Sequence, residues 1–360
     1  MTEKEYLTAL YSFIHFGPAR TKLLISYFGS AKDAWNVGRR DLLEIGLNVK
    51  VIDEFVKYRD SFVFKDFFGF LKKRNIGVLE IKDKEYPDNL RDLDDAPMVL
   101  YVRGNLNKND INSVAIVGSR KMTSYGKEVT QKLSSQLAVL GISVVSGLAF
   151  GIDITAHRST LEAGGRCIAV LASGIDIITP RSNEWLGQEI IKSGGAIISE
   201  YPPGVIPKKY FFPFRNRIIS GLSKAVIVVE GMIQSGTIHT ANHAANQGRQ
   251  VFAVPGQITS PMSGAPHYLI KNGAKMLTDV KDILDELDLQ LKVDKESVEK
   301  VMPGDKFESE IVSILEREPF HLDELARIIN LQINEISARL TVMELKGMVK
   351  NIGNGVYKKV

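Results

Sequence analysis

Residues 114–151 read VAIVGSRKMTSYGKEVTQKLSSQLAVLGISVVSGLAFG. An apolar run, Val114 to Val117, ends in Gly118-Ser119-Arg120. Tyr125, Val129, Leu133, Leu137 and Leu140 follow at near-helical spacing, Gly141 stops the pattern, and a second apolar run, Ile142 to Val145, ends in Ser146-Gly147. Two short apolar runs joined by an amphipathic helix predict a βαβ unit with parallel strands. Ligands of open parallel sheets bind beyond the carboxyl ends of the strands. Gly118, Ser119, Arg120, Ser146 and Gly147 all fall at that edge.

The alternation continues to about residue 288. Strands are expected at 114–117, 142–146, 167–172, 196–199, 225–230 and 250–254, and helices at 124–140, 153–163, 183–193, 214–222, 237–247 and 279–288. Strands alternating with helices at this spacing imply an α/β fold with a doubly wound, mostly parallel sheet. Two earlier apolar runs, Val78 to Ile81 and Met98 to Val102, are expected as added strands or a lead-in to that sheet.

The flanks differ in character. Residues 1–70 read as helical, with turns at Gly17-Pro18 and Gly29-Ser30. The stretch FGPARTKLLISYFGSAKDAW is similar to sterile-alpha-motif or helix-hairpin-helix modules, although a plain helical bundle explains it as well. Residues 75–288 form the expected core, and the polar run 289–304 reads as a linker. Within 305–360, three apolar helix faces precede two short strands around Gly353-Asn354-Gly355, the pattern of a winged helix.

Composition narrows the function. The 360 residues carry 46 Lys/Arg against 42 Asp/Glu, a net charge of +4, so the local distribution of charge has to decide any nucleic-acid role. The single cysteine, Cys167, sits in an apolar run and is expected to pack rather than react. No apolar run reaches the length of a membrane span and no signal core follows the N-terminus, so a cytoplasmic protein is expected.

The chemistry-bearing motifs point to phosphate without nucleotide catalysis. There is no G-x-x-x-x-G-K-[ST], no G-x-G-x-x-G and no H-E-x-x-H, so no cofactor and no metal are expected. Small and hydroxylic residues at strand ends let backbone amides approach an anion. The segment 207–219, PKKYFFPFRNRII, carries Lys208, Lys209, Arg215 and Arg217 with no acidic residue, interleaved with Tyr210, Phe211, Phe212 and Phe214. Cations neutralise phosphates and exposed rings stack bases at about 1–3 kcal/mol each. At least two of these four rings are expected in the core. Asn216 lies between the arginines, and Arg120 and Arg181 add charge to the same edge.

The segments VAIVGSRKMTSYG, VVSGLAFGIDITAH, CIAVLASGID, FPFRNRIISGLSKAVIVVE, SGTIHTA and QGRQVFAVPG occur in this order. Together they closely resemble the bacterial DNA-processing family DprA, also called Smf. The resemblance covers about 110–280. It implies an extended Rossmann-like core without a cofactor, cooperative binding of single-stranded DNA by a homodimer, and loading of the RecA recombinase in natural transformation. Single-strand-binding protein is an implied further partner. By matching motif, the implied DNA-binding residues are Gly118, Ser119, Arg120, Ser146, Gly147, Arg215, Asn216 and Arg217, with Lys208, Lys209 and Arg181 at commonly basic positions. Thr179 replaces a usual tyrosine, and Gly264-Ala265-Pro266-His267 departs from the family pattern.

Two other functions stay in view. Phosphoribohydrolases of related fold carry P-G-G-x-G-T-x-x-E; here Ile233 to Thr240 lacks the double glycine and the glutamate. A winged-helix regulator would read duplex DNA through 333–359, yet 305–360 holds eight Lys/Arg against nine Asp/Glu.

Overall fold

The computed structural model describes residues 1–287, 306–316, 318–345 and 348–359. The expected linker, 289–304, lies outside the described residues. Nine strands form one sheet: β1 Gly77–Glu80, β2 Val99–Gly104, β3 Val114–Val117, β4 Val144–Ser146, β5 Cys167–Val170, β6 Ala196–Ser199, β7 Ala225–Val228, β8 Gln250–Ala253 and β9 Lys275–Met276. Their order is β1-β2-β6-β5-β4-β3-β7-β8-β9. β3 to β9 pair in parallel, while β2 runs antiparallel to both β1 and β6. The two lead-in runs therefore extend one margin of a doubly wound, Rossmann-like sheet. The chain winds outward from β3 to β6, then returns to β7 on the other side of β3. That reversal leaves the loops after β3 and β7 side by side at the carboxyl edge, where such sheets bind ligands.

Strand alternation explains the two packed faces. Val114 and Ile116 join one core with Leu133, Leu137, Ile152 and Ile283. Ala115 and Val117 join the other with Ile218, Ile219, Leu222 and Ala241. A strand buried on both faces has to be apolar throughout, as VAIV and AVIV are. Each buried Val, Leu or Ile contributes about 1.5–3 kcal/mol.

Six N-terminal helices run from Glu3 to Lys73, a few residues beyond the expected 70, around Leu10, Phe13, Phe16, Trp35 and Phe55. The bundle is joined to the sheet by polar as well as apolar contacts. Ser12 Oγ and Tyr101 Oη lie 2.7 Å apart, and the Tyr11 hydroxyl donates to the Glu200 carboxylate just beyond β6. At the other end of the chain, helices Lys306–Leu315, Leu322–Ile329 and Ile333–Leu345 precede the hairpin of β11 (Val349–Gly353) and β12 (Val356–Lys359). β12 also pairs with β10, Phe320–His321, completing a winged helix. Among the described residues, no helix is long and apolar enough to cross a membrane.

Candidate nucleic-acid interface

The Gly118-Ser119-Arg120 turn is held from three sides. The Ser119 amide donates to the Glu230 carbonyl at 2.8 Å, tying the turn to the end of β7. The Ser119 carbonyl accepts from the Ile152 amide at 3.2 Å, tying it to the helix Ile152–Glu162. The Ser119 hydroxyl accepts from the Lys121 amide at 3.0 Å. Gly151 makes the second tie feasible: its φ is +76°, and a Cβ there would collide with the Ser119 carbonyl. Fixed in this way, the turn leaves Arg120 exposed. Its guanidinium lies 4.9 Å from the centroid of the Phe212 ring.

Phe212 belongs to the basic-aromatic segment, which the structure divides. Phe211 is buried and stacks on Tyr201 at 4.2 Å. Phe212 is half-buried, while Tyr210 is 51% and Phe214 57% exposed. One ring is thus fully in the core and one in part, short of the two expected there. The helix starting at Phe211 turns successive residues by about 100°, so neighbours in sequence cannot all face inward. Lys208 and Lys209 are exposed, with Lys208 Nζ 5.8 Å from the Tyr210 ring. Arg181 is exposed in the short turn Arg181–Asn183 after β5.

Arg215 and Arg217, expected among the DNA-binding residues, are both 4% exposed. Arg215 donates to the Gly147 carbonyl at 2.9 Å and to the Val170 carbonyl, bridging the ends of β4 and β5. Gly147 leaves the room: a Cβ would sit about 2.5 Å from the guanidinium nitrogens. Burial lowers the Arg215 pKa to about 10; Asp153 opposes the shift and Arg120 adds to it. The Asp153 carboxylate accepts from the Gly147 and Ala149 amides at 3.2 and 3.4 Å, and burial raises its pKa. Arg217 Nη2 lies 2.6 Å from both Glu200 oxygens. Burial works against its charge, but Glu200, Tyr11 and Asp95 outweigh burial and raise its pKa. The segment has no acid of its own, and the fold supplies acids from elsewhere in the chain.

The remaining expected residues brace the edge. Ser146 is buried and donates to the Ile116 carbonyl at 2.7 Å, and Gly118 packs under Ile152. Asn216 is half-buried, its Oδ1 accepting from Arg215 Nε at 3.2 Å. The edge therefore has a surface of Arg120, Lys208, Lys209, Arg181, Tyr210 and Phe214, and beneath it the supports Ser146, Gly147, Arg215 and Arg217.

Sequence reading missed the carboxylates. Glu230, 4% exposed, accepts from the Thr123 amide at 2.9 Å and the Thr123 hydroxyl at 2.5 Å. It thereby fixes the start of the helix Ser124–Val139. A signal existed: Glu200 directly follows β6 and Glu230 closes the apolar run Ala225 to Val229, where a carboxylate needs a dedicated partner. Among the described residues no group of three or more His, Cys, Asp or Glu is placed to hold a metal, at His239 and His243 or elsewhere.

Comparison with known proteins shows the family of the chain. Residues 77–288 match the family model described as DNA recombination-mediator protein A, and 299–355 match the DprA winged helix domain. Protein Smf of Escherichia coli K12 is 34% identical over 329 residues, covering 88% of this chain and 86% of that protein. The DNA processing protein DprA of Bacillus subtilis 168 is 42% identical over 217 residues, covering 60% of this chain and 73% of that protein. The crystal structure of DprA from Streptococcus pneumoniae is 34% identical, with a TM-score of 0.64, covering 79% of this chain and 98% of that one. DprA from Helicobacter pylori, solved for its single-stranded DNA binding mode, is 30% identical, with a TM-score of 0.53, covering 59% and 95%. The chain belongs to the DprA (Smf) family of DNA recombination-mediator proteins.

Proposed function

We propose that this chain binds single-stranded DNA along the carboxyl edge of its sheet and acts as a non-catalytic mediator of recombination. The observation that carries the reading is the pairing of exposed Arg120 with the Phe212 ring beside exposed Lys208, Lys209, Tyr210 and Phe214. Cations there meet the phosphate backbone, and the exposed rings offer stacking faces that a paired duplex does not present bases to. The carboxylates close to the edge are committed to holding structure: Glu230 to Thr123, Asp153 to two amides beside Arg215. That supports a binding surface over a hydrolase.

The family supports the finer reading: a cytoplasmic homodimer that protects incoming single strands during natural transformation and loads RecA onto them. Single-strand-binding protein is the second protein partner.

The test is fluorescence anisotropy of a labelled single strand, with a matched duplex as competitor, on wild type and Arg120→Glu. The wild type prefers the single strand, and charge reversal weakens it at least tenfold with an unchanged circular dichroism spectrum. Equal binding by the two proteins would remove the turn from the interface. RecA loading is tested next, as recovery of strand exchange on DNA precoated with single-strand-binding protein.

A further inference from the structure

The helix Ile333–Leu345 is buried nearly all round. Ile336, Leu340 and Met343 point into the core of the winged-helix module itself. Ser337, Ala338, Thr341 and Val342, on the rest of its surface, are also no more than 6% exposed. A helix at the surface of a small domain keeps one polar, solvated face. Here that second face is covered by the helix Ser124–Val139 of the core. Ala338 and Val342 share a buried cluster with Val139. Gln136 Nε2 donates to the Thr341 hydroxyl at 2.8 Å in a buried setting. Lys281 Nζ lies 3.6 Å from Glu344 at the margin. Small side chains on one helix let the backbones approach, and one matched polar pair fixes the register.

This helix is the third of the module, the position that in a DNA-reading helix-turn-helix enters the major groove. We infer that in this chain it is the docking helix that seats the module on the core, so that the seated module cannot read duplex DNA. Charge agrees: residues 305–360 carry eight Lys/Arg against nine Asp/Glu, no footprint for a groove reader. The exposed wing lysines, Lys350 and Lys358, face each other across the hairpin. The inference is independent of the single-strand reading of the sheet edge.

Hydrogen exchange on the full chain tests it. In wild type, amides at 133–139 and 336–342 exchange slowly. Val139→Glu, which lies outside the module, accelerates 336–342 at least about tenfold, and Val342→Glu accelerates 133–139 likewise. That reciprocity follows if the two segments protect each other. Should Val342→Glu unfold the module, Val139→Glu still decides, since its effect is read across the interface while the apolar core of the module is untouched. Acceleration confined to the mutated helix would overturn the inference. A second arm adds excess duplex DNA to wild type. Unchanged exchange at 133–139 supports a seated helix, whereas acceleration there would show the module leaving the core to read DNA and would overturn it.

Discussion

Arg217 and Glu200 meet in the interior, with Arg217 Nη2 2.6 Å from both carboxylate oxygens and the pair almost closed to solvent. The Tyr11 hydroxyl adds a bond to the same carboxylate. One buried carboxylate therefore joins three parts of the molecule: the N-terminal bundle, the end of β6 and the helix Phe211–Leu222 that carries the basic-aromatic segment.

Removing one member of such a pair leaves a buried charge unmatched, which destabilises by about 3–5 kcal/mol. Glu200→Ala should lower the melting temperature of the core by roughly 6–20 °C, at about 2–4 °C per kcal/mol for a domain of this size. The double variant Glu200→Leu/Arg217→Met, which removes both charges, should melt above Glu200→Ala. Calorimetry of wild type and both variants checks this. A double variant that melts below the single one would mean that Arg217 stabilises the core without Glu200, through Asp95, whose Oδ2 lies 3.7 Å from Arg217 Nε.

Arg215 acts as a cross-brace, and its planar fork is what the site uses. It bonds the Gly147 and Val170 carbonyls at the ends of adjacent strands. Both bonds come from Nη1, while Nε holds the Asn216 Oδ1; lysine keeps the charge but its single nitrogen cannot hold the two carbonyls and Asn216 together. Arg215→Lys should weaken single-strand binding about as much as Arg215→Ala, roughly tenfold. If phosphate contact were its main role, lysine would retain most of the affinity. Anisotropy at fixed salt separates the two.

Much of this fold was legible because parallel strands buried on both faces must be apolar along their length. VAIV, CIAV, AIIS and AVIV therefore stand out in the sequence, and each became a strand. The carboxyl-edge location of Ser119, Arg120, Lys208 and Lys209 followed from that topology. What was not legible is which cations face inward. Arg215 and Arg217 differ from Lys208 and Lys209 only in having acids brought to them by β6 and by the helix after β4. Such pairings are long-range in the chain and leave no periodicity. The docking of the third winged helix was equally hidden, since Ala338 and Thr341 look the same in sequence whether they meet solvent or another helix.

His157 gives the core a pH dependence. Its ring is fully buried, and burial lowers its pKa to about 4, with the Arg215 charge contributing. The unfolded chain protonates near 6.5, at about the ordinary value. Between those values the unfolded state binds a proton that the native state does not, so stability rises with pH through the window and levels off above it. At pH 5 the deficit relative to pH 8 is about 2 kcal/mol. His157→Leu removes this term. Urea melts at pH 5 and 8 should show a smaller loss in the variant by about that amount; equal losses would mean that the native ring accepts the proton.

Salt dependence separates surface contacts from supports at the edge. A cation that displaces counterions from a single strand contributes about 0.7 to the slope of log affinity against log salt, whatever its contribution to folding. Lys208 and Lys209 are exposed and bound to no carboxylate in the described structure. Arg120 is exposed as well, lying against Phe212. Lys208→Ala, Lys209→Ala and Arg120→Ala should each flatten the slope by roughly 0.7 and leave the melting temperature within about 2 °C of wild type. Glu200→Ala should do the reverse, lowering stability while the slope stays near the wild-type value, because the charge it unpairs lies beneath the surface. A steeper slope from Glu200→Ala would mean that Arg217, freed of its partner, moves out to the strand when DNA binds.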